Sequence, residues 1–430
     1  MVPVAPRSQS FNSADLTDPT LYDDPWEFYS WLRSEHPVWF DERTGLYALS
    51  RHADVLTASV DTDRFSSAEG VRPVNLVPLS IVSMDNPEHS RQRRLLSKGF
   101  TPRQVRSMTE HVRELTGRVI DEVETSGSID FVSDLAVHVP LMVISELLGL
   151  DPSIRTTLYE WSDAMVAGEA AAGAPGADTD RAAVAFVEYT TLVSTLIEER
   201  RAAPRDDLLS LLTAAYDSGD LDYDEETRDR YRREDVADLT NDELLMFCVL
   251  LMVAGNETTR NAIAGGLRGF SQFPDQRDLL IADPALIDSA VEEILRWVSP
   301  VLNFTRTVTG PVTLSGVDLN AGDRVLLLYQ SANRDEDVFE DSAQFRIGRD
   351  PNPHLAFGFG THFCLGANLA RMEIKVVFEE LFRRLPDITA VDPHAPLDRS
   401  PSAFIAGIQH LPARFTPVHS NGGQADRQPG

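Results

Sequence analysis

The spacing of apolar residues along the chain predicts a protein that is mostly helical. Between residues 87 and 200, apolar side chains recur every three or four positions, which is the period of an amphipathic helix. Near the start, residues 45–49 are predicted to be a strand. The predicted helices in the first half of the chain are residues 26–34, 53–57, 108–123, 139–148, 158–166 and 183–197.

A long buried helix is predicted in the middle of the chain. Residues 240–243, with the sequence TNDE, have the spacing of a capping box, in which the threonine and the glutamate bind each other's backbone N–H groups. Residues 244–254 follow with apolar side chains on every face, which indicates burial on all sides. This run is much shorter than the ~20 residues that cross a bilayer, so we interpret it as the central helix of the fold.

The pattern changes in the last third of the chain. Residues 308–314 and 324–329 are predicted to form strands around turns at residues 310–311 and 321–323, which indicates a small sheet. Residues 365–385 are predicted to be helical again, and residues 404–415 a loop or the edge of a hairpin. We therefore predict a mainly α fold with a minor β region, formed by a single domain over residues 16–418.

Polar segments rich in small or charged residues interrupt this domain and end it. We predict flexible segments at residues 1–15 and 419–430, and breaks between helices at residues 168–178 and 217–235. The composition of the first break favours an ordinary surface loop over the hinge of a lid.

Composition and charge narrow the possible partners. Hydrophobic residues make up 42% and charged residues 25%, as in globular proteins with a large core. The formal charge of −28 disfavours nucleic acid and anionic membranes, because it repels both. The start of the chain has no apolar run typical of a signal peptide or anchor, and two distant cysteines indicate no disulfide framework. We expect a cytoplasmic protein.

The strongest chemical signal is at residues 357–366, which have the sequence FGFGTHFCLG. Cys364 stands just before a predicted helix, where the helix dipole favours the thiolate form that binds metals. Gly358 and Gly360 allow backbone turns closed to other residues. Gly366 would let the backbone approach a flat cofactor and direct amide hydrogens at the sulfur.

The cysteine alone leaves two interpretations open. Besides a metal ligand, Cys364 could be a nucleophile with His362 as its general base. Cys248 lies among apolar residues and is predicted to be a buried hydrophobic side chain. Other motifs must therefore decide what Cys364 does.

Polar residues interrupt the predicted central helix. Residues 254–259 have the sequence AGNETT, and a glycine inside a helix costs ~1 kcal/mol. An acid and hydroxyl groups at this depth suit a groove that admits dioxygen and water, in which Thr258 donates a hydrogen bond and Glu257 relays protons. The alternative, a helix that emerges into solvent after Ala254, is disfavoured by the apolar residues at 262–267.

Two further pairs are ambiguous by themselves. Glu293 and Arg296 have the spacing of an ordinary helical ion pair. His89 and Arg93 share one helix face, where they suit a pair of carboxylates but also fit a solvated basic surface.

Together, these four segments resemble the cytochrome P450 family over nearly the whole chain. Residues 357–366 match the pattern F-G-x-G-x-H-x-C-x-G at every position, residues 254–259 match A/G-G-x-D/E-T-T, and Glu293 with Arg296 match E-x-x-R. The resemblance implies the P450 fold around haem b (iron protoporphyrin IX). It also implies a monooxygenase that inserts one oxygen atom from O₂ into an unactivated C–H bond.

The resemblance gives each site motif a role. It implies Cys364 as the iron ligand and Thr258 with Glu257 as the oxygen-activating pair. His89, Arg93, Arg306 and His362 would hold the haem propionates. The other residues implied in haem binding are Phe357, Gly358, Gly366, Ala254 and Gly255.

The resemblance also implies a structural network behind the haem, formed by Glu293 and Arg296. In many relatives an arginine in a P-E-R-F segment completes this network, but residues 342–345 here have the sequence SAQF. Arg349 and His354 are the two candidates to replace the missing arginine.

Electrons must come from another protein, since the chain has no GxGxxG nucleotide motif and no reductase segment. The resemblance implies a ferredoxin and an NAD(P)H-dependent ferredoxin reductase. An acidic redox protein would dock on cations in segments that the family places on the proximal side of the haem. These cations are Arg91, Arg94, Lys98, Arg371 and Lys375.

Within the family, residues 70–73, 84–87, 303–306 and 331–335 resemble those of actinobacterial sterol side-chain hydroxylases, which oxidise a terminal methyl group of cholesterol or cholestenone. A fatty acid, a terpene or a macrolide are alternative substrates, and a haem-based sensor or a cysteine hydrolase are alternative functions. An apolar pocket suits a long lipid. The predicted pocket residues are Leu76, Val77, Leu79, Ile81, Val253, Val301, Leu302 and Phe404.

Overall fold

The computed structural model describes residues 11–74, 80–171, 179–217 and 239–418. Several predictions fall outside these ranges. Of the predicted ends and breaks, residues 1–10, 172–178, 218–235 and 419–430 lie outside the described ranges. The predicted pocket residues Leu76, Val77 and Leu79 lie outside them as well.

Helices form most of the described chain, as the apolar spacing predicts. The helix predicted at residues 158–166 extends further and ends at Ala171. The helices are α1 (Trp26–Glu35), α2 (His52–Val60), α3 (Glu88–Leu96), α4 (Pro102–Val123), α5 (His138–Leu147), α6 (Arg155–Ala171), α7 (Thr179–Ala202), α8 (Leu208–Asp217), α9 (Leu239–Gln272), α10 (Pro274–Ala282), α11 (Ile287–Val298), α12 (Tyr329–Ala332) and α13 (Ala367–Arg384).

The predicted central helix is α9, and it does not end at residues 254–259. It continues to Gln272 and packs against α5, α6, α7, α8, α11 and α13. Two glycines allow this close packing: a Cβ atom on Gly265 would lie 2.6 Å from Val298, and one on Gly266 would lie 2.8 Å from Phe378. The capping side chain predicted at Thr240 is outside the described side chains.

The largest sheet has five strands in the order β1-β2-β8-β5-β3, in which β2 and β8 are parallel and the other pairs antiparallel. Strands lie on both sides of the turn predicted at Gly310 and Pro311. One strand ends at Val308 and another begins at Val312, because Gly310 and Pro311 form a turn and proline cannot donate to a ladder. The strands are β1 (Val38–Asp41), β2 (Leu46–Leu49), β3 (Phe65–Ser66), β4 (Ser128–Asp130), β5 (Asn303–Val308), β6 (Val312–Leu314), β7 (Val317–Leu319), β8 (Arg324–Leu328), β9 (Thr389–Ala390), β10 (Asp398–Arg399), β11 (Ile408–His410) and β12 (Pro412–Arg414).

A cluster of aromatic rings fixes α13 beside α9. Phe270 on α9 is fully buried, and its ring centroid lies 5.4 Å from that of Phe378 and 5.1 Å from that of Phe382 on α13. Such ring pairs stabilise the contact beyond the burial of their area. The segment before α13, which contains Cys364, is therefore held against the middle of α9. Among the described helices, none is long and apolar enough to cross a membrane.

Candidate active site

A cavity between α9, α13 and β5 brings together most of the predicted site residues. The residues come from segments far apart in sequence, so only the fold can assemble them. The predicted residues that line the cavity are Cys364, Thr258, His89, Arg93, Arg306, His362, Phe357, Gly358, Gly366, Ala254 and Gly255.

Glycines shape the loop that carries Cys364. Gly358 and Gly360 have φ angles of 66° and 69°, in the left-handed region that favours glycine. A Cβ atom on Gly360 would lie 2.7 Å from the carbonyl oxygen of Ser59. The backbone N–H of Cys364 donates to the carbonyl of Phe357 at 2.9 Å, which closes the loop.

Cys364 is half-buried, and little around its thiol would stabilise a negative charge. Burial raises its pKa, and only a hydrogen bond from the backbone of Gly366 and the positive charges of Arg93 and Arg371 oppose that rise. His362 makes its contact elsewhere, since its Nε2 lies 3.2 Å from the hydroxyl of Ser67. This geometry favours a metal ligand over a nucleophile activated by His362, because a bound metal cation would stabilise the thiolate.

Four basic side chains gather at one side of the cavity. The rings of His89 and His362 are 4.2 Å apart, and Arg93 and Arg306 are close enough to influence both. Burial and then these neighbouring charges lower the pKa of His89 to about 4, and burial, Arg306, His89 and Arg93 lower the pKa of His362 to about 2. At neutral pH both rings are therefore uncharged, and Arg93 and Arg306 carry the positive charge of the cluster.

No acidic side chain in the described part of the chain pairs with these four residues. Asp85 is near enough to affect His89 and Arg306. Its carboxylate, however, accepts hydrogen bonds from the hydroxyl of Ser66 and from the backbone N–H of Ser67 at 2.8 Å. A ligand that brings carboxylates to the cluster and a metal ion to Cys364 would satisfy both demands, and haem b has this chemistry.

Thr258 and Glu257 are adjacent on α9 but face different surroundings. Thr258 lines the cavity, and its hydroxyl donates to the carbonyl of Ala254 at 2.6 Å. Glu257 is fully buried and is not among the residues that line the cavity. Its Oε1 accepts from Arg260 at 2.5 Å and from Asn261 at 2.9 Å. The expected pair is therefore divided between the cavity and the protein interior.

The apolar part of the cavity differs from the predicted pocket. Ile81 and Val301 line it, whereas Phe404 lies behind Phe304, with ring centroids 5.3 Å apart. Like Phe404, two more predicted pocket residues do not line the cavity. Val253 packs against the main core on another face of α9, and Leu302 is 1% exposed in the cluster that includes Phe28 of α1. These are corrections to the predicted pocket.

Several lining residues were missed in the sequence. The missed residues on α9 have the three- and four-residue spacing of the helix face that contains Ala254, so this spacing would have identified them from the sequence. The others come from distant elements and carry no local signal. The missed residues include Phe247, Leu250 and Leu251 on α9, and Phe100, Ile144, Phe304, Tyr329 and Glu373 elsewhere.

The chain is similar to known proteins over most of its length. The family model for cytochrome P450 matches residues 267–386. A steroid C26-monooxygenase of Mycolicibacterium smegmatis is 38% identical, over 94% of this chain and 96% of the relative. One from Mycobacterium tuberculosis is 37% identical, over 94% and 97%. The chain belongs to the cytochrome P450 family.

Solved structures of other P450s have the same fold. Cytochrome P450 CYP109Q5 from Chondromyces apiculatus matches with a TM-score of 0.80 and 33% identity, over 95% of this chain and all of that one. CYP109E1 from Bacillus megaterium, solved in complex with testosterone, matches with a TM-score of 0.77 and 32% identity, over 91% and 99%. This P450 is thus a haem-thiolate monooxygenase, whose haem b activates O₂ with electrons from redox partners to oxidise a hydrophobic substrate.

The structural network of the P450 is complete, and Arg349 replaces the missing arginine. Glu293 and Arg296 are fully buried and form two hydrogen bonds, of 2.7 and 2.8 Å. Arg349 donates to Glu293 at 3.1 Å and to the carbonyl of Glu340 at 2.6 Å. The other candidate, His354, instead contacts Glu292 on the outer side of α11, with its Nε2 3.0 Å from Oε2 of that carboxylate.

The predicted redox-partner patch contains fewer free charges than expected. Arg94 and Lys98 are exposed, with no acidic partner in the described part of the chain, and Arg91 is half-buried. Arg371 donates to Glu292 at 2.6 Å, and Lys375 to Asp288 at 2.7 Å. The pairing carboxylates could not be found from the sequence, because they lie on α11.

The network yields a prediction about stability. Arg349→Ala is expected to lower the free energy of unfolding by about 3–5 kcal/mol, because it removes one of two charged partners of buried Glu293. Arg346→Ala is the matched control: Arg346 is 44% exposed and pairs with Asp341 at the surface, so its loss should cost under ~1 kcal/mol. Urea unfolding followed by absorbance and circular dichroism measures both. Equal losses would show that Arg349 is not part of the network.

Proposed function

We propose that this P450 hydroxylates a terminal methyl group of a sterol side chain. The proposal rests on one observation: the chain is 34–38% identical in sequence to several relatives named steroid C26-monooxygenase, each matched over more than 80% of its length. The apolar lining of the cavity supports it, because a sterol side chain has no polar group to bind. One oxygen atom of O₂ enters the C–H bond, and the other leaves as water with two protons and two electrons.

In this proposal Cys364 ligates the haem iron, and His89, Arg93, Arg306 and His362 bind the propionates. Their convergence in one cavity without an acidic partner supports these roles. Carboxylates bound there would raise the low pKa values of the two histidines and turn both rings into charged donors. Phe357, Gly358, Gly366, Ala254 and Gly255 would contact the flat faces of the cofactor.

Thr258 would pass a proton towards dioxygen. Its hydroxyl lines the cavity and donates to the carbonyl of Ala254 at 2.6 Å, so the hydroxyl has to turn from this carbonyl before it can donate its proton, while its lone pairs can accept the replacement proton. Glu257 would resupply that proton, for which its side chain has to turn from Arg260 towards the cavity. Its second oxygen, Oε2, has no hydrogen-bond partner in the described structure and is available for this.

Ligand titration tests the substrate. Adding cholestenone to the P450 should convert the haem from low to high spin, seen as a shift of the Soret band, because an apolar ligand in the cavity displaces the water bound to iron. A long-chain fatty acid and a terpene are the comparison ligands. Mass spectrometry should then place the new hydroxyl at a terminal methyl. The absence of a Soret shift with saturating cholestenone, together with a shift for a comparison ligand, would overturn the sterol assignment.

We also propose that the electron donor is an acidic ferredoxin, itself reduced by an NAD(P)H-dependent ferredoxin reductase. Arg94 and Lys98 give the patch free positive charge on a chain whose net charge is −28, so an acidic partner would be steered to it. Phe359 and Phe363, in the loop of Cys364, are 48% and 37% exposed and would add apolar contact close to the thiolate.

Charge reversal tests the docking site. Lys98→Glu is expected to slow reduction by ferredoxin and to flatten its dependence on salt, since it weakens electrostatic steering. The haem spectrum should not change, because Lys98 does not line the cavity. The control variant is Arg43→Glu, which makes the same change of charge on the exposed turn between β1 and β2. Stopped-flow reduction at equal rates in both variants would exclude this docking site.

A cytoplasmic location is part of the proposal. Both cysteines are free, and Cys248 is fully buried with a pKa that burial raises to about 12. Free thiols without disulfides suit a reducing compartment, where ferredoxins and reductases also operate.

A further inference from the structure

Glu292 is a charged residue that the roles described above leave without a function. It lies on α11, one position before Glu293 of the buried network, but its side chain faces outward and is 31% exposed. An isolated ion pair at such a position contributes little to stability. Glu292, however, accepts hydrogen bonds from two separate parts of the fold. These parts are the segments on either side of the Cys364 loop.

Before the loop, Glu292 holds His354. The backbone N–H of Ala356 donates to Nδ1 of His354 at 3.2 Å, so Nδ1 is the acceptor of the ring. The proton of the neutral ring is therefore on Nε2, which lies 3.0 Å from Oε2 of Glu292. The side chain of His354 is 3% exposed. The two hydrogen bonds fix the orientation of a buried ring at the start of the loop.

After the loop, Glu292 holds Arg371 of α13. Nε of Arg371 donates to one carboxylate oxygen at 2.6 Å and Nη2 donates to the other at 2.9 Å, which is the strong two-point geometry of an arginine–carboxylate pair. In the described part of the chain, the side chain of Arg371 donates no other hydrogen bond. Its guanidinium carbon lies 4.6 Å from the centroid of the Phe357 ring. Glu292 therefore determines where the charge of Arg371 lies.

That charge acts on the sulfur. Burial raises the pKa of Cys364, and the positive charge of Arg371 is among the influences that oppose the rise. Phe357, under the guanidinium, accepts the backbone hydrogen bond that closes the Cys364 loop. The carboxylate of Glu292 partly cancels the charge of Arg371, so its benefit to the thiolate comes from holding the guanidinium in place.

The carboxylate stays ionised in this setting. Burial raises the pKa of Glu292, but the hydrogen bonds from His354 and Arg371 outweigh burial and lower the pKa to about 2. Both contacts are therefore present at neutral pH.

We propose that Glu292 is a positioning residue for the iron ligand, which holds Arg371 where its charge favours the thiolate of Cys364 and ties together the two ends of the loop that carries the sulfur. The proposal rests on the proposed role of Cys364. Its acid is adjacent to the structural network of Glu293 but acts on different partners.

The reduced carbon monoxide adduct of the holoenzyme tests the proposal. In Glu292→Ala the ratio of the thiol-type to the thiolate-type Soret band at neutral pH should rise roughly tenfold, because a nearby opposite charge favours the ionised form of a group by at least that factor. Asp288→Ala is the matched control, since Asp288 on the same helix pairs with Lys375 of α13 at 2.7 Å. Its spectrum should match that of the wild type. Circular dichroism checks that each variant is folded.

A double-mutant cycle separates positioning from general loosening of the structure. Arg371→Met should raise the same ratio as Glu292→Ala does, and the double variant should show no further rise, because both changes remove one interaction. Rises that multiply in the double variant would overturn the proposal, since the two residues would then act independently.

The spectrum of the wild type distinguishes the two claims. If the wild type has a thiolate-type band and Glu292→Ala leaves the ratio unchanged or lowers it, the inference about Glu292 fails alone. If the wild type has no thiolate-type band, the proposed role of Cys364 fails and the inference fails with it.

Discussion

The site depends on one electrostatic constraint, which is the meeting of two arginine charges and two neutral histidines in the same cavity as the half-buried Cys364. Arg93, Arg306, His89 and His362 meet without a carboxylate in the described part of the chain, and burial raises the pKa of Cys364. A buried charge without a partner is costly, so the fold keeps this arrangement only because a ligand completes it. Haem b would bring carboxylates to the cations and a metal ion to the sulfur.

The rest of the fold holds these groups in place. The Phe270 ring cluster keeps α13 beside α9, and the network of Glu293, Arg296 and Arg349 fixes the chain that leads into the Cys364 loop. Arg296 also donates to the carbonyls of Asn333 and Ser342. Because these bonds are buried and satisfied, the loop has little freedom, which keeps the thiolate at a fixed distance from α9.

Local patterns in the sequence predicted the parts of the site that depend on local structure. The glycines around Cys364 and the polar residues 254–259 have short-range signatures; the glycines adopt the expected backbone turns, whereas the helix continues through residues 254–259. The fold class also followed from apolar spacing. The turn predicted at Gly310 and Pro311 likewise separates two strands, because proline cannot donate to a ladder.

Tertiary contacts determine the side-chain pairings that the sequence leaves open. Arg349 and His354 were equal candidates until the fold placed them beside different acids, Glu293 and Glu292. Likewise, nothing in the sequence shows that Glu257 faces Arg260 or that Lys375 is paired with Asp288. Val253 and Leu302 are apolar residues of the right type, but their side chains pack into the core instead of the cavity.

The central claim is that the thiolate of Cys364 binds the haem iron, and the absorption spectrum of the reduced carbon monoxide adduct tests it most directly. The account predicts a thiolate-type Soret band in the wild type and in Cys248→Ser, whose sulfur is buried in the core. Cys364→Ser should lose that band while circular dichroism shows the fold retained. A thiolate-type band that persists in Cys364→Ser would contradict the account.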